Sequence, residues 1–583
     1  MIVFDIEEIK DSVYSEIVRL EHPKNRSRYF IYGKVSETET ADEYSVVYKN
    51  LPARAIRDVK YNLNPLFRIG DTFIEGKFQY DVNGVKIKIS KKVMRENGLD
   101  SVELSKLTNF GIDYIMDGRS LVCELYDFIL SKTFVKNPLI SALLNKTEIT
   151  KLENTKLHSL NISLNESQKK AILKSLNQNV TFIWGPPGTG KTKTMGVIAA
   201  ILIKMGKKVI LTALSNKALD QLFLSTIESS IILKNNDFSA ARIGSVDNMH
   251  TECHIYSRDS FQDHRKRVKK LSFSWKEHVM LCSCVASNFT SLVSPKTAKP
   301  GVADYILADE MSMASIPSII AASYYANCGI ILGGDPMQLP PIYPEDSEKP
   351  NRWFSTNIFE MAEIKSRHDE RAAFLDTQYR MQNSISSLVS ELFYDNELKT
   401  GTKTIQIPSD YKSNIIFFNC SGKVENFDGG IITEGDERRY NENHASKIAY
   451  LTVKMLVNKE YDPEDIGIVA PYNAQIVKIK EMLEITAKEQ KIEFGEIDKV
   501  QVSTIHSFQG QEKKVIIVNF CDVNVQPTKL TAKKELINVA ISRAKELLLI
   551  VGNKDYLKNK DYFSSYEVDM FTTIIEKSFI ETL

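Results

Sequence analysis

Thr181-Phe-Ile-Trp-Gly-Pro-Pro-Gly-Thr-Gly-Lys-Thr192 is the stretch from which the rest of the chain can be read. Thr181 to Trp184 has the apolar character of a buried strand. Gly185 to Thr192 spells G-x-x-x-x-G-K-T, and a helical pattern follows through Met195, Ile198, Leu202 and Ile203. Strand, loop and helix in that order make a P-loop. Gly185, Gly188 and Gly190 let the backbone wrap a polyphosphate, and amides at the helix N-terminus face its anionic oxygens. Lys191 would reach the β- and γ-phosphates and the Thr192 hydroxyl would hold Mg²⁺, so ATP with Mg²⁺ is the expected ligand pair.

Working outward, Leu164-Asn-Glu-Ser-Gln-Lys-Lys-Ala-Ile172 lies one short element upstream, where Gln168 is suited to a bidentate contact with an adenine edge. Downstream, Lys208 to Ala213 reads as a strand running into the polar turn Leu214-Ser-Asn-Lys217. Ser215, Asn216 and Lys217 there suit a phosphate backbone, and Ser215 or Asn216 equally suits a helix N-cap. Val279 to Ala286 and Tyr305 to Ala308 read as two further strands. The second delivers Asp309 and Glu310 to its carboxyl end, Asp309 for Mg²⁺ and Glu310 to polarise the attacking water. Gly329 to Asp335 is another strand, and its loop carries Gln338, placed to sense a γ-phosphate.

From about residue 366 a second alternation of strands and helices begins, without a P-loop of its own. It brings Arg380 in Asp376-Thr-Gln-Tyr-Arg-Met381 and Arg543 in Glu535-Leu-Ile-Asn-Val-Ala-Ile-Ser-Arg-Ala-Lys545, arginines suited to transferred phosphoryl charge. Ile466 to Ala470 reads as a strand ending in an exposed Pro471-Tyr472 pair, a candidate surface for a nucleic-acid strand. Two alternating runs imply parallel sheets covered on both faces.

Length and composition bound the rest. The 583 residues suffice for roughly three or four domains. The 43% hydrophobic and 26% charged content is that of an ordinary globular protein. Net charge is +1, so a nucleic-acid surface must be a local patch. One such patch is His264-Arg-Lys-Arg-Val-Lys-Lys270, containing Arg265, Lys266 and Arg267; a solvated helix face accounts for it equally well. Seven cysteines with no C-x-x-C pair read as free thiols of a reducing compartment. Met1-Ile-Val-Phe-Asp-Ile-Glu-Glu8 lacks the basic start of a secretory leader. The uncharged part of Met311 to Gly334 reads as a core helix and a buried strand, not a membrane span. An intracellular location is expected, cytoplasmic, or nuclear in a eukaryote.

Before the P-loop, residues up to about 22 look helical and Arg28 to Ser90 look like a small β-barrel or sheet. Asn83-Gly84 is read as a hairpin turn. Residues 100 to 158 return to helical periodicity.

These segments, in this order, resemble superfamily 1 helicases of the Upf-like branch, which includes the senataxin-type enzymes. The likeness runs from about residue 164 to 553. Gly185–Thr192 is similar to motif I, Leu214–Leu222 to motif Ia, Asp309-Glu310 to motif II and Gly334-Asp-Pro-Met-Gln-Leu339 to motif III. Gln378-Tyr-Arg-Met381 resembles the next arginine motif, and Ser507-Phe-Gln-Gly-Gln-Glu512 and Asn538-Val-Ala-Ile-Ser-Arg543 resemble motifs V and VI. The resemblance implies an α/β protein in which two RecA-like parallel-sheet P-loop domains clamp ATP. An accessory region of β-barrel and helical stalk would precede them. It implies boundaries at 1–158 for that region, 159–365 for the first RecA-like domain with an insertion at about 225–278, 366–556 for the second, and 557–583 for a helical tail. It further implies that Tyr379 stacks on the adenine, Glu512 binds the ribose, and Gln338, Arg380 and Arg543 surround the γ-phosphate. Movement along single-stranded DNA or RNA would be 5′ to 3′. Two positions depart from the pattern: Met313 stands where Gln is usual, and His506 where Asp is common. A translocase that separates few base pairs, and an ATPase that remodels protein partners, share most of these motifs.

Replacing Arg265, Lys266 and Arg267 together with Ala is expected to weaken single-strand binding and flatten its dependence on salt. Titrations at several salt concentrations check this, and an unchanged slope would make the patch a solvated helix face.

Overall fold

Strands that are apolar at nearly every position must be covered on both faces, and this chain supplies two sets of them. The computed structural model describes residues 162–582 apart from 268–272, 295–300, 342, 344–350, 365, 402–405, 427–437, 493 and 509, with individual helices and strands between residues 6 and 144. The first sheet comprises β1 (Val180–Trp184), β2 (Val209–Ala213), β3 (Ala240–Ile243), β4 (Cys284–Ser287), β5 (Ala303–Asp309), β6 (Ala326–Gly334) and β7 (Ala372–Phe374). Its order is β3-β4-β2-β5-β6-β1-β7, parallel throughout. The second comprises β8 (Ile415–Asn419), β9 (Ile466–Ala470), β10 (Gln501–Thr504), β11 (Lys513–Asn519), β12 (Ala544–Gly552) and β13 (Phe579–Thr582). Its order is β10-β9-β11-β12-β8-β13, also parallel.

Alternation along each strand divides the apolar side chains between two cores per sheet. Phe182, Trp184 and Ile210 enter one, and Ile183, Val209 and Leu211 the other. In the second sheet Phe417, Ile516 and Leu548 face one core while Ile416, Ile517 and Leu549 face its opposite. The carboxyl ends of each parallel sheet share one edge, where α/β proteins place their ligands.

Tertiary pairing redraws several limits read from the sequence. The strand expected over Val279 to Ala286 is helix Trp275–Leu281 followed by β4, because Ser274 and Glu277 close a capping box that starts a helix. The insertion expected over 225–278 begins later: helix Asn216–Ile232 runs through its start, and β3 forms the edge of the first sheet. β7 lies beyond the expected boundary at 365–366 yet pairs with β1. The tail 557–583 is not only helical, since helix Ser565–Glu576 leads into β13 beside β8. From Met311 to Gly334 the chain does form helix Ile316–Ser323 and then β6. Among the described residues no helix is long and apolar enough to cross a membrane.

Upstream, helix Ile6–Glu21 precedes two four-stranded sheets built from strands between Ser27 and Met116. Ile112–Met116 is a strand within the stretch expected to be helical. In the hairpin Lys77–Asp81/Gly84–Ser90, Asp81 pairs with Gly84, so Gly84 opens a strand instead of completing the turn, and Asn83 lies outside the described residues. Side chains of these strands also lie outside them. Helices Arg119–Leu130 and Pro138–Leu144 put Phe128, Ile129, Ile140 and Leu143 into the core that holds Ile319, Trp353 and Phe359. Trp353 also donates its indole N–H to Glu8 at 3.1 Å, which ties the first helix to the half built on the first sheet.

One buried ion pair anchors β3. The Arg242 Nε donates to Asp220 at 2.7 Å with both side chains almost wholly excluded from water, and Asp220 also accepts the His250 amide at 2.7 Å. Asp220→Ala would leave the Arg242 charge buried without a carboxylate, at a cost of about 3–5 kcal/mol. A lowered midpoint of chemical unfolding is the expected result, and an unchanged one would show that Asn216 and the backbone satisfy Arg242 alone.

Candidate functional site

β5, β6, β1 and β7 end side by side, so their following loops meet. Together with loops of the second sheet they enclose a cleft of about 850 Å³. The first half contributes residues 185–193, Glu310, Gln338, Tyr379 and Arg380; the second contributes Gly510, Glu512, Arg543, Lys545 and Glu546.

Gly190 is the N-cap of helix Lys191–Lys204, which aims its first amides into the cleft. Gly188 has φ +75°, and a Cβ there would stand 2.6 Å from the Arg380 Cβ. A Cβ on Gly185 would meet that of Lys191 at 2.7 Å. Close backbone approach, not composition, therefore requires glycine at both positions. The Tyr379 amide donates to the Gly188 carbonyl at 2.8 Å and seats the arginine motif on the P-loop.

β5 brings the two acids to this loop. Buried Asp309 accepts the Thr192 hydroxyl at 2.8 Å and pairs with Lys191, whose Nζ also lies 3.2 Å from Glu310. Burial alone would lower the Lys191 pKa, but the carboxylates of Asp309 and Glu310 outweigh it and hold the ammonium well above its ordinary value. Glu310 has φ +61°, left-handed backbone that costs a non-glycine residue about 1–3 kcal/mol. Its amide is held at 2.8 Å by the Asp309 carboxylate.

Across the cleft, Arg543 is 4% exposed and its Nε has no hydrogen-bond partner among the described residues. Another of its nitrogens donates to the Gln338 Oε1 at 3.1 Å, joining the two halves. Burial, then the like charge of Arg380, lowers the Arg543 pKa; Glu310 and Glu512 oppose the shift. Arg380 pairs with Glu512, which Lys545 also holds at 2.8 Å. Burial would raise the Glu512 pKa, but these cations bring it below its usual value. The Tyr379 ring is 48% exposed on the cleft, and its hydroxyl accepts from Asn165 at 3.0 Å.

The residues read for ATP from the sequence thus converge, with one reassignment. Gln168 uses both ends of its amide internally: Oε1 accepts the Asn165 amide at 3.0 Å in a capping box, and Nε2 donates to the Thr189 carbonyl at 3.1 Å. It braces the P-loop instead of presenting a free edge to a base.

The strand-contact candidates divide. Ser215 is exposed and N-caps helix Asn216–Ile232, while the Asn216 Oδ1 accepts from Arg242 and Asn288. Partial burial, then the charges of Arg543 and Lys513, lowers the pKa of Lys217, which sets it on the side of the second sheet. Arg265 and Lys266 are exposed on helix Arg258–Arg267, and Lys266 pairs with Asp263 at 3.2 Å. The Arg267 side chain lies outside the described residues. Pro471 and Tyr472 are buried, contrary to the expected exposure. The Tyr472 hydroxyl donates to Asp522 at 2.6 Å beneath the Arg439 guanidinium, a sequestered network that strand-end position alone did not reveal.

Sequence reading also missed Lys545, which lies at the start of β12 just after Arg543 and not at the end of a helix as read from the sequence, and the cluster around Asp335. That carboxylate accepts from Trp184 at 3.1 Å, the Met337 amide at 3.1 Å, Gln338 at 2.8 Å and Tyr394 at 2.6 Å. Only the strand end before Gln338 hinted at it.

A P-loop lysine facing two acids, with Arg380 and, from a second parallel sheet, Arg543 on the same cleft, defines a two-sheet P-loop nucleoside triphosphatase. Two family models, both described as AAA domain, match residues 163–278 and 354–555. DNA replication ATP-dependent helicase/nuclease DNA2 of Saccharomyces cerevisiae is 26% identical over 454 residues, 72% of this chain and 27% of that protein. DNA polymerase alpha-associated DNA helicase A of Schizosaccharomyces pombe is 27% identical over 457 residues, 70% of this chain and 66% of that protein. An arterivirus nonstructural protein 10 helicase overlaps with a TM-score of 0.35 at 12% identity, covering 89% of this chain and 77% of that one; the fold assignment rests on strand order instead. The chain belongs to the superfamily 1 helicases of the Upf-like branch.

Lys191→Ala is expected to abolish ATP hydrolysis, and Glu310→Gln to retain ATP binding without turnover. Steady-state hydrolysis and equilibrium binding of a labelled nucleotide check both, and turnover at the parent rate by either variant would remove its assigned role.

Proposed function

We propose that this chain is an ATP-dependent helicase or translocase that moves 5′ to 3′ on single-stranded nucleic acid, with DNA the first polymer to test. The observation that carries the proposal is Arg543: a buried guanidinium whose Nε has no hydrogen-bond partner among the described residues, reaching Gln338 across a cleft whose other wall is the P-loop. A buried cation without a full set of acceptors is suited to an anion, and the amides and glycines opposite are suited to phosphate. Near-neutral net charge leaves strand binding to local surfaces such as the exposed Arg265 and Lys266.

In this reading Lys191, Arg380 and Arg543 bind and orient the triphosphate, and their charges offset what develops on the transferred phosphoryl group. Glu310 accepts a proton at its carboxylate from the attacking water. Gln338 links the γ-phosphate end of the cleft to both halves, Tyr379 stacks on the base and Glu512 meets the ribose. The hard oxygen donors Thr192 and Asp309 fit Mg²⁺, and Lys191 already shows that a cation is stabilised between Asp309 and Glu310. Held there by Thr192 and Asp309, Mg²⁺ would supply positive charge to offset that of the phosphates.

The relatives' names support DNA: one is a DNA replication helicase/nuclease and another a DNA helicase. The chain spans 27% of the first, so only the part shared with it is proposed to act alike. The proposed direction is supported by the family branch alone. We infer a reducing intracellular compartment, which the seven unpaired cysteines support.

The test is the steady-state ATPase rate alone, with single-stranded DNA and with single-stranded RNA. Stimulation of about tenfold or more is expected, with DNA acting at the lower concentration. A rate indifferent to both polymers would favour an ATPase acting on protein partners.

A further inference from the structure

Tyr394 follows helix Asn383–Phe393 and is fully buried in the apolar core of the second half, where a phenylalanine would pack as well. Its hydroxyl therefore calls for an explanation beyond packing. It donates to Asp335 at 2.6 Å and accepts from the Asn538 Nδ2 at 2.8 Å. Both partners are themselves buried.

Each partner leads to the cleft. Asp335 holds Gln338 at 2.8 Å, and Gln338 accepts from Arg543 at 3.1 Å. Asp335 also accepts from Trp184, the residue before Gly185. Asn538 lies on helix Lys534–Ile541, five positions before Arg543, and its Nδ2 also donates to the Met337 carbonyl at 2.7 Å. Two routes thus leave one hydroxyl, one ending at Gln338 and the other at the backbone that carries Arg543. Closed hydrogen-bond loops of this kind, buried away from water, restrict the relative position of the elements they join.

We propose that Tyr394 is a positioning residue for ATP hydrolysis, its hydroxyl setting Arg543 against Gln338 through Asp335 and Asn538. The inference rests on the ATPase reading above and adds a residue outside the cleft to it. Tyr394 touches no nucleotide. It acts on the distance between two groups that do, so its loss affects the chemical step more than binding.

The experiment compares the full chain with Tyr394→Phe and, independently, Asn538→Ala. Each is measured for polymer-stimulated kcat, KM for ATP, single-strand affinity and thermal midpoint. Loss of a hydrogen bond to a charged buried group predicts a fall of about tenfold in kcat for Tyr394→Phe. KM and strand affinity are expected to stay within about twofold. In an Arg543→Ala background the same change is expected to add less than about twofold, because its route is already cut. Parent-like kcat in a folded Tyr394→Phe protein would overturn the proposal. So would kcat, KM and strand affinity declining together with the thermal midpoint, the pattern of a merely structural role, and so would full additivity with Arg543→Ala. Absence of any polymer-stimulated turnover in the parent chain is a separate result, and it would remove the ATPase reading itself.

Discussion

A charge taken out of water must find its counter-charges inside the protein, and Arg543 makes that demand at the junction of the two sheets. Its guanidinium is almost wholly buried, Arg380 adds a second positive charge nearby, and the Nε has no acceptor among the described residues. Stranding such a group would cost several kcal/mol. Glu310 from the first sheet and Glu512 from the second supply the compensating field, and Gln338 supplies an acceptor. The observed placement of the two halves brings those groups together. The cleft is therefore defined by electrostatics as much as by shape.

The opposite wall obeys the same rule. Lys191 is buried against Asp309 and Glu310, and the Thr192 hydroxyl completes the set. Left-handed backbone at Glu310 bends the chain so that consecutive acids serve one cation, which an ordinary strand, alternating its side chains, would prevent. Strain at that position is local and is held by the Asp309 carboxylate on the Glu310 amide. Lys191, Arg380 and Lys545 each have a carboxylate within reach, so a triphosphate would compete with those carboxylates for the same charges.

Met313 is apolar where the family resemblance leads to the expectation of Gln. Its side chain is half-buried and packs against the second half's apolar core, so contact between the halves persists there in a different chemical form. Polar contact is concentrated instead at Asp335, whose carboxylate has four donors from three parts of the chain. Burial raises its pKa, and the hydrogen bonds from Tyr394, Gln338, Met337 and Trp184 work against that rise.

The sequence by itself determined the P-loop, the acid pair, the arginines and the two runs of parallel strands. Each rests on local constraints: glycine where backbones approach, apolar residues where a strand is covered on both faces, and charge at strand ends. What it did not determine was partner choice. Gln168 and Tyr472 have side chains fit for ligands, yet one braces the P-loop and the other is buried on Asp522, because distant backbone and carboxylate groups claim their polar atoms. β7 and β13 join sheets far from their neighbours in the chain, and no periodicity says which edge a short strand will find. The Asp335 cluster joins positions 184 and 335, neighbours through the pairing of β1 with β6, to 394 and 538, which only the meeting of the two halves brings near. Local chemistry is written in adjacent residues; the satisfaction of buried polar groups is settled only when the whole chain has closed around them.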